Sequence, residues 1–519
     1  MEKEFNKDLK LIAKSSLIVL LGVGLSKILT YVYRIIIARY FGPEIYGLLS
    51  LALMASGILI ALSSLGLPEG ILRYVALFRG TKQLKELKYT INFALKLVLI
   101  LSVITAIFLF IFAQQISLKI FHNADLAIFL KIFSFTIPLT VLSNVFLSIL
   151  RSFEKIASYS FVTNIVRNLS KAIFLFILIF LGLGSNSVAL SHVFGILIML
   201  WFAYSLSRKE LKQLKIENIL QKEDKRKIAR DIFSYSWPIL FVSVLQITLS
   251  WIDSFFLGYF KGVLEVGLYA AAMPIAMLLY FVPEIFMQLF FPLITKSYAS
   301  KNIVLIEELS KQVGKWIFIV NLPIFMIIMI FPHEIIHLIF GPQYIGAGVA
   351  LRFLSIGLFI TTIAPTICYH LLLMGGKSKV IFYNTLTGII LNSILNIIFI
   401  PMKNIWIIGN ETGINGAAIA TMISLIAMNI IILFETKKYL SIVPLRRKMI
   451  RILFASIIPL IILIFVKYSF KLNLFSTGLI SCLFILLYIL FLLIFKCFDK
   501  NDNLVINALK NKIYRRKLH

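Results

Sequence analysis

The sequence predicts an all-α, polytopic integral membrane protein with about fourteen transmembrane helices, and three observations predict it. Of its 519 residues, 60% are hydrophobic and the mean hydropathy is +0.96, well beyond the 45–50% typical of soluble domains. The apolar residues fall in runs long enough to cross a bilayer as helices, which satisfy their own backbone groups where no water can. The charges lie almost entirely between those runs, and the basic ones fall on alternate loops.

The runs place spans at 16–38, 45–67, 91–113, 127–150, 161–182, 188–206, 234–259, 266–294, 314–340, 349–373, 379–400, 414–435, 449–469 and 475–497. The first run is too long for a signal-peptide core and has no small-residue cleavage site after it, so it is expected to stay in the mature chain. The longest polar stretch, 207–231, carries nine Lys and Arg residues and reads as a solvated basic linker.

Formal net charge is +29. Nucleic acid, an anionic membrane face or an anionic substrate would each suit such a balance. Counting loops alternately from the N-terminus puts 39 of the 52 Lys and Arg residues on one side and eight on the other. That is the positive-inside pattern, so both termini are expected in the cytoplasm of a cell-membrane protein. It leaves no excess of basic residues for nucleic acid. Cys368, Cys482 and Cys497 lie far apart in apolar runs, form no metal pattern, and read as buried apolar residues.

The two halves repeat at an offset of about 220 residues. Arg39-Tyr40-Phe41 falls opposite Gly258-Tyr259-Phe260, Gly47 to Ala52 opposite Gly267 to Ala272, and Leu130 to Ser134 opposite Leu351 to Ser355. Six spans in each half give parallel repeats, the arrangement in which substrate binds between two rocking halves. The expected domains are therefore a lobe at 1–206, the linker at 207–231, a second lobe at 232–436, and two added spans with a basic tail at 437–519.

Five cations fall inside spans, where each costs roughly 2.5–3.5 kcal/mol unless it meets a partner or water. Lys27, Tyr31 and Arg34 share one face of span 1. In span 5, Asn164, Arg167, Asn168 and Lys171 recur at helical spacing and form one polar face. Asp253, the only acidic residue of span 7, lies 219 residues after Arg34 and so at its repeat-equivalent place. These residues are candidates to line a substrate cavity, with Arg34 and Asp253 facing one another across it or dividing phosphate binding from coupling. Asp253 has an alternative as a local hydrogen-bonding group near a helix end. Glu284 and Gln288, four apart on span 8, are a second coupling or gating candidate. Asn392 and Asn396 suit either a polar site or helix–helix hydrogen bonds.

His333-Glu334-Ile335-Ile336-His337 matches the two-histidine zinc signature. No third ligand follows it, and the equivalent helix end in the first half, Ala113 to Phe121, lacks the motif. A chance match is the expectation, with an intramembrane zinc protease as its remote alternative. No phosphate-cradling glycine loop, nucleophile elbow or aspartyl-phosphate pattern occurs, so no cofactor and no enzymatic activity are expected. Energy would come from a proton or sodium gradient or the membrane potential.

Several segments resemble the polysaccharide-transport branch of the multidrug/oligosaccharidyl-lipid/polysaccharide flippase superfamily. They are Leu65-Gly66-Leu67 through Arg73-Tyr74-Val75-Ala76, Ile252-Asp253 with Gly258, and Val266-Gly267-Leu268-Tyr269-Ala270-Ala271. In the second half they are Phe340-Gly341-Pro342-Gln343-Tyr344, Gly375-Gly376-Lys377, Asn392, Asn396, Pro401 and Gly416 to Thr421. The resemblance covers nearly the whole chain. It implies two pseudo-symmetric six-helix bundles around a central cavity, and export of an anionic, isoprenoid-phosphate-linked oligosaccharide for cell-surface glycan synthesis. The partners expected are that lipid and the membrane, with a monomer sufficient for transport. The alternative within the superfamily is a cation-coupled multidrug antiporter. Such relatives place an acid in the first helix, where this chain has Lys27 and Arg34.

Overall fold

A computed structural model describes residues 2–212, 221–299, 302–402, 413–469 and 474–498, with side chains from Gly24 onward except at 289, 292–293, 296–297, 299 and 474–475. Among these residues there are helices and no strands. In chain order they are α1 (Glu2–Ser64), α2 (Leu67–Gly80), α3 (Leu84–Gln115), α4 (Leu126–Ser134), α5 (Thr136–Ser152), α6 (Ile156–Ser160), α7 (Arg167–Phe180), α8 (Asn186–Lys212), α9 (Lys222–Phe260) and α10 (Val263–Ala276). They continue as α11 (Leu278–Ala299), α12 (Ile303–Ile330), α13 (Pro332–Phe340), α14 (Gly348–Ile363), α15 (Pro365–Met374), α16 (Ser378–Phe399), α17 (Gly413–Leu440), α18 (Lys448–Ser469) and α19 (Leu474–Ile494). Short π-helical turns sit at Ile116–Ile120 and Phe161–Val166, and a 3₁₀ turn at Pro342–Ala347.

Thirteen helical stretches among the described residues are long and apolar enough to cross a membrane. The first, Gly24–Gly80, runs 57 residues, roughly twice the length one crossing needs. It is broken at Gly42, whose φ of 81° an L side chain rarely adopts, with Pro43 following. It therefore holds two crossings, which brings the total to about fourteen. Several helices begin before their apolar run, α3 at Leu84 and α12 at Ile303, because a helix can continue into the headgroup region once charged side chains reach water.

The chain forms two compact units. One comprises Met1–Pro274, Ile339–Ala350 and Thr385–Ser424; the other comprises Ile275–Leu338, Leu351–Asn384 and Leu425–His519. Neither follows the lobe boundaries at 206 and 232, because parts of the second sequence half pack tightly onto the first. A Cβ on Gly47 would lie 2.0 Å from the Val263 carbonyl oxygen, and one on Gly267 only 1.8 Å from that of Pro43. Gly267 sits 220 residues after Gly47, and Val263 sits 220 after Pro43. The repeat thus meets itself in a backbone-to-backbone seam that only glycine permits. Tyr46 spans the same seam, its hydroxyl donating to the Ala270 carbonyl at 3.2 Å.

In the first unit, Leu67, Ile71, Ile91, Val98, Val141 and Val145 form a buried core that also takes in Ile228 and Ile232. The last two sit one turn apart at the start of α9, so 222–231 is helical and packed rather than a solvated linker. Lys222, Arg226, Lys227 and Arg230 point outward from it; residues 213–220 lie outside the described part. In the second unit, Met287, Phe290, Ile317 and Ile367 anchor a separate core. Large apolar side chains remain exposed along α3, α18 and α19, a surface suited to lipid. Cys482 on α19 belongs to it; only Cys368 and Cys497 are buried. Its helix has lipid-facing sides, which hydrophobicity alone cannot separate from packed ones.

Candidate functional site

All the candidate residues except Glu284 and Gln288 lie in the first compact unit, where most of them gather into two buried polar sites. The first is built by α1, α7 and α8. A π-helical turn at Phe161–Val166 interrupts the fifth span just before Arg167, a feature that often accompanies functional positions. Asn164 is held locally, its amide donating to Ser160 Oγ at 3.0 Å. Asn168 ties the span to α1 by donating to Ser26 Oγ at 2.8 Å. Two members of the predicted polar face are therefore used in holding helices.

The other two are not. Lys171 is only 9% exposed, and among the described residues no hydrogen bond or ion pair engages it. Arg167 keeps its Nε buried without a hydrogen-bond partner. Gly195 on α8 lets the helices approach around the Lys171 stem: a Cβ there would lie 2.3 Å from Lys171 Cγ. Arg34 of α1 is the third cation, close enough to act electrostatically on Lys171 and within hydrogen-bonding reach of Tyr46. His192 of α8 completes the group, buried, with Nδ1 unpartnered and its ring stacked 5.0 Å from Phe133. The charged groups acting on Lys171 and His192 are all cations. Lys27, half-buried a turn below Tyr31, makes contacts of its own. Tyr31 donates to the Pro274 carbonyl at 2.6 Å and so braces the second half.

The second site surrounds Asp253 on α9, which is 6% exposed. Its carboxylate accepts from Tyr269 at 2.7 Å, Thr421 at 2.6 Å and Asn396 at 2.8 Å. Asn392 supports the ring, donating to Thr421 at 3.1 Å and accepting from Asn396 at 2.8 Å. These partners come from α10, α16 and α17. Asp253 is thus not paired with Arg34, as their equivalence in the repeat suggested, because neutral donors of its own half fill both carboxylate oxygens. Glu284 and Gln288 lie in the other compact unit; Gln288 is exposed and Glu284 is half-buried with contacts of its own.

Sequence reasoning left Thr421 and Tyr269 out of the site and gave Asn392 and Asn396 either to a polar site or to helix–helix bonds. Asn392, Asn396, Thr421 and Tyr269 all stand in the segments that carried the family resemblance, so their positions were visible and their convergence was not. His192 had no signal, being one histidine on an apolar span.

Around the zinc-like motif, Glu334 forms an ion pair with Lys467 of α18 at 3.2 Å. Lys467 also donates to the Ile330 carbonyl and lies 5.1 Å above the Phe331 ring. The glutamate that a protease would need as base instead fastens α13 to the first added span. Among the described residues no three His, Cys, Asp or Glu side chains gather as a metal would require.

A polytopic helical fold with an internal repeat and buried polar sites within the membrane is the arrangement of many membrane transporters. The chain belongs to the family described as polysaccharide biosynthesis protein, whose model matches residues 12–298. The MatE model matches residues 238–398, which places it in the multidrug/oligosaccharidyl-lipid/polysaccharide flippase superfamily. It is 26% identical over 461 residues to an uncharacterized membrane protein of Methanocaldococcus jannaschii, covering 86% of this chain and 88% of that one. It is 25% identical over 264 residues to a probable low-salt glycan biosynthesis flippase, Agl15, of Haloferax volcanii, over about half of each chain. Its fold matches the inward closed conformation of the lipid II flippase MurJ with a TM-score of 0.70, at 19% identity, covering 92% of this chain and 98% of that one.

Proposed function

We propose that this protein exports an isoprenoid-phosphate-linked oligosaccharide across the cell membrane by alternating access. The observation that carries the reading is the group Arg34, Arg167 and Lys171: three cations on two spans, with only cations among the charged groups acting on the buried Lys171 within the described residues. Such a group needs an anion, and a phosphate or diphosphate headgroup supplies one. The sugar would cross in a wet interior while the tail stays in lipid, avoiding the cost of burying hydroxyl groups in hydrocarbon. Family membership and the flippase names of Agl15 and MurJ support the same substrate class. The loop charges support cytoplasmic termini, and a single copy suffices for two-lobed transport.

With the cytoplasm negative, outward movement of one negative charge gains about 2.3 kcal/mol per 100 mV. Asp253 is the coupling group in this reading. Its carboxylate and the surrounding hydroxyl and amide oxygens offer an all-oxygen setting for a proton or sodium ion. The multidrug antiporter remains the second reading because the MatE match includes Asp253, a buried carboxylate of the kind an organic cation or coupling ion would use.

The test is gentle purification with mass spectrometry of bound lipid, wild type against Arg34→Ala. A saccharide-bearing isoprenoid phosphate held by wild type and depleted several-fold in the variant is the expected result. Bulk phospholipid alone in both, together with gradient-driven uptake of organic cations, would replace the proposal with the antiporter.

A further inference from the structure

The basic group contains one residue that simple charge pairing does not account for. His192 carries no fixed charge, yet it is buried with Nδ1 lacking a hydrogen-bond partner. Its ring is held by stacking on Phe133 at an interplanar angle of 25°, and the preceding Ser191 is fixed by the Tyr33 hydroxyl at 3.1 Å. Arg167 Nε, which acts on the same imidazole, is equally unpartnered. Arg167 Nε, a donor in every state, and His192 Nδ1, a donor once the ring is charged, sit beside a lysine with no hydrogen bond among the described residues, so one acceptor there would serve all three.

The surroundings decide what that acceptor does to the imidazole. The helices packed on α8 are α7, α5, α4 and α1, with the π turn at Phe161–Val166. From α7 come Arg167 and Lys171, and from α1 come Arg34 and the Tyr33 hydroxyl. The charged residue of α4, Lys131, lies over Phe110. That of α5, Arg151, pairs with Glu69 at 3.1 Å. The π turn carries no charge, and on α8 itself Glu210 is more than four turns away and pairs with Lys155. A second proton on the ring therefore has two cations beside it and no counter-charge until an anion arrives. An arriving phosphate supplies that charge and an acceptor for the new N–H.

We propose that His192 is a fourth member of the anion site and takes up a proton when a phosphate headgroup binds. The inference rests on the reading of Arg34, Arg167 and Lys171 as the headgroup site. Binding of anion and proton are then linked reciprocally, each raising the other's affinity. A singly charged phosphodiester would then cross together with its proton as a neutral pair, so the gain from the membrane potential that an uncompensated anion has would not apply, and a pH difference would bias movement toward the more alkaline side.

The experiment uses the full chain in nanodiscs and a polyprenyl phosphoryl hexose as probe. Its phosphodiester does not titrate between pH 5 and 9, so any proton exchanged belongs to the protein. Calorimetry at pH 7 in two buffers of different ionisation heat reads the proton count. Wild type should take up a fraction of a proton, with affinity rising several-fold between pH 8 and pH 6. His192→Gln should bind with no proton uptake and a flat pH profile. Uptake that persists in His192→Gln and vanishes in Lys171→Gln would assign the proton to the lysine and overturn the inference. Wild-type binding with no exchange would overturn it as well, while leaving the headgroup site standing. No binding at all would sink both. Dimethyl phosphate separates the sources: weaker binding with the same uptake indicates a lipid headgroup site, and equal affinity indicates a free-anion site that merely tolerates the lipid.

Discussion

The basic group around Lys171 and the carboxylate network around Asp253 occupy related places in the two sequence halves and are built on opposite terms. Arg34 precedes Asp253 by 219 residues and Lys171 precedes Asn392 by 221, so spans 1 and 5 contribute to one site and spans 7 and 11 to the other. The Asp253 oxygens meet three donors between 2.6 and 2.8 Å, and the charge is spread over a ring in which Asn396 Oδ1 is left without a partner. The Lys171 group has two nitrogens without partners and, among the described residues, only cations acting on Lys171 and His192. A satisfied buried charge contributes to holding the fold; an unsatisfied one is kept at a cost and so points to a ligand.

Removing the central member of each site should therefore move stability in opposite directions. Lys171→Met deletes a buried cation with no counter-charge and keeps the volume of its stem. Export should fall by roughly 100-fold or more, since a charge-assisted contact pair in a dry site accounts for about 3 kcal/mol. Thermal stability of the purified protein should rise, by about 1 kcal/mol, because an apolar side chain is better tolerated there. A falling melting temperature would show that Lys171 has a structural partner and would break the comparison.

Asp253→Ala is the converse. It leaves the Tyr269, Thr421 and Asn396 donors without their acceptor in a buried site. The expected cost is about 3 kcal/mol, from the penalty for stranding partners of a buried charge. Headgroup binding, measured with the same lipid probe, should change little because the basic group is untouched, while gradient-driven transport should fail. Equal losses of binding in Lys171→Met and Asp253→Ala would mean that the two sites act as one.

How much of this was legible in the sequence follows from the physics each feature obeys. The spans were, because a bilayer imposes a length and a composition on any segment that crosses it. The Gly47 and Gly267 equivalence was too, although only the fold shows that the two meet across a seam. Arg34, Arg167, Lys171 and Asp253 stood out because charge inside a span is rare. The Asp253 partners did not, because Asn, Thr and Tyr are ordinary in membrane helices and their convergence from spans 8, 11 and 12 is tertiary. The expected Arg34–Asp253 pairing failed for a related reason: opposite charge at equivalent positions says nothing about neutral donors that lie closer. His192 is significant only through an unpartnered nitrogen, which no sequence displays.

The smallest expected effect separates the two uses of the span 5 polar face. Asn164 and Asn168 share a helical stripe with Arg167 and Lys171, and by spacing alone all four belong together. Asn164 donates only to Ser160 one turn back, a bond that water or lipid headgroups can replace. Asn168 reaches across to Ser26 of α1, and interhelical bonds of this kind contribute about 0.6 kcal/mol on average in membrane proteins. Asn164→Ala should thus leave both lipid affinity and melting temperature close to wild type, and Asn168→Ala should lower the melting temperature slightly with affinity preserved. If Asn164→Ala instead weakens lipid binding as much as Arg34→Ala does, the amide contacts the substrate. The boundary drawn here between residues that hold helices and residues left for a ligand would then have to move one turn along the span.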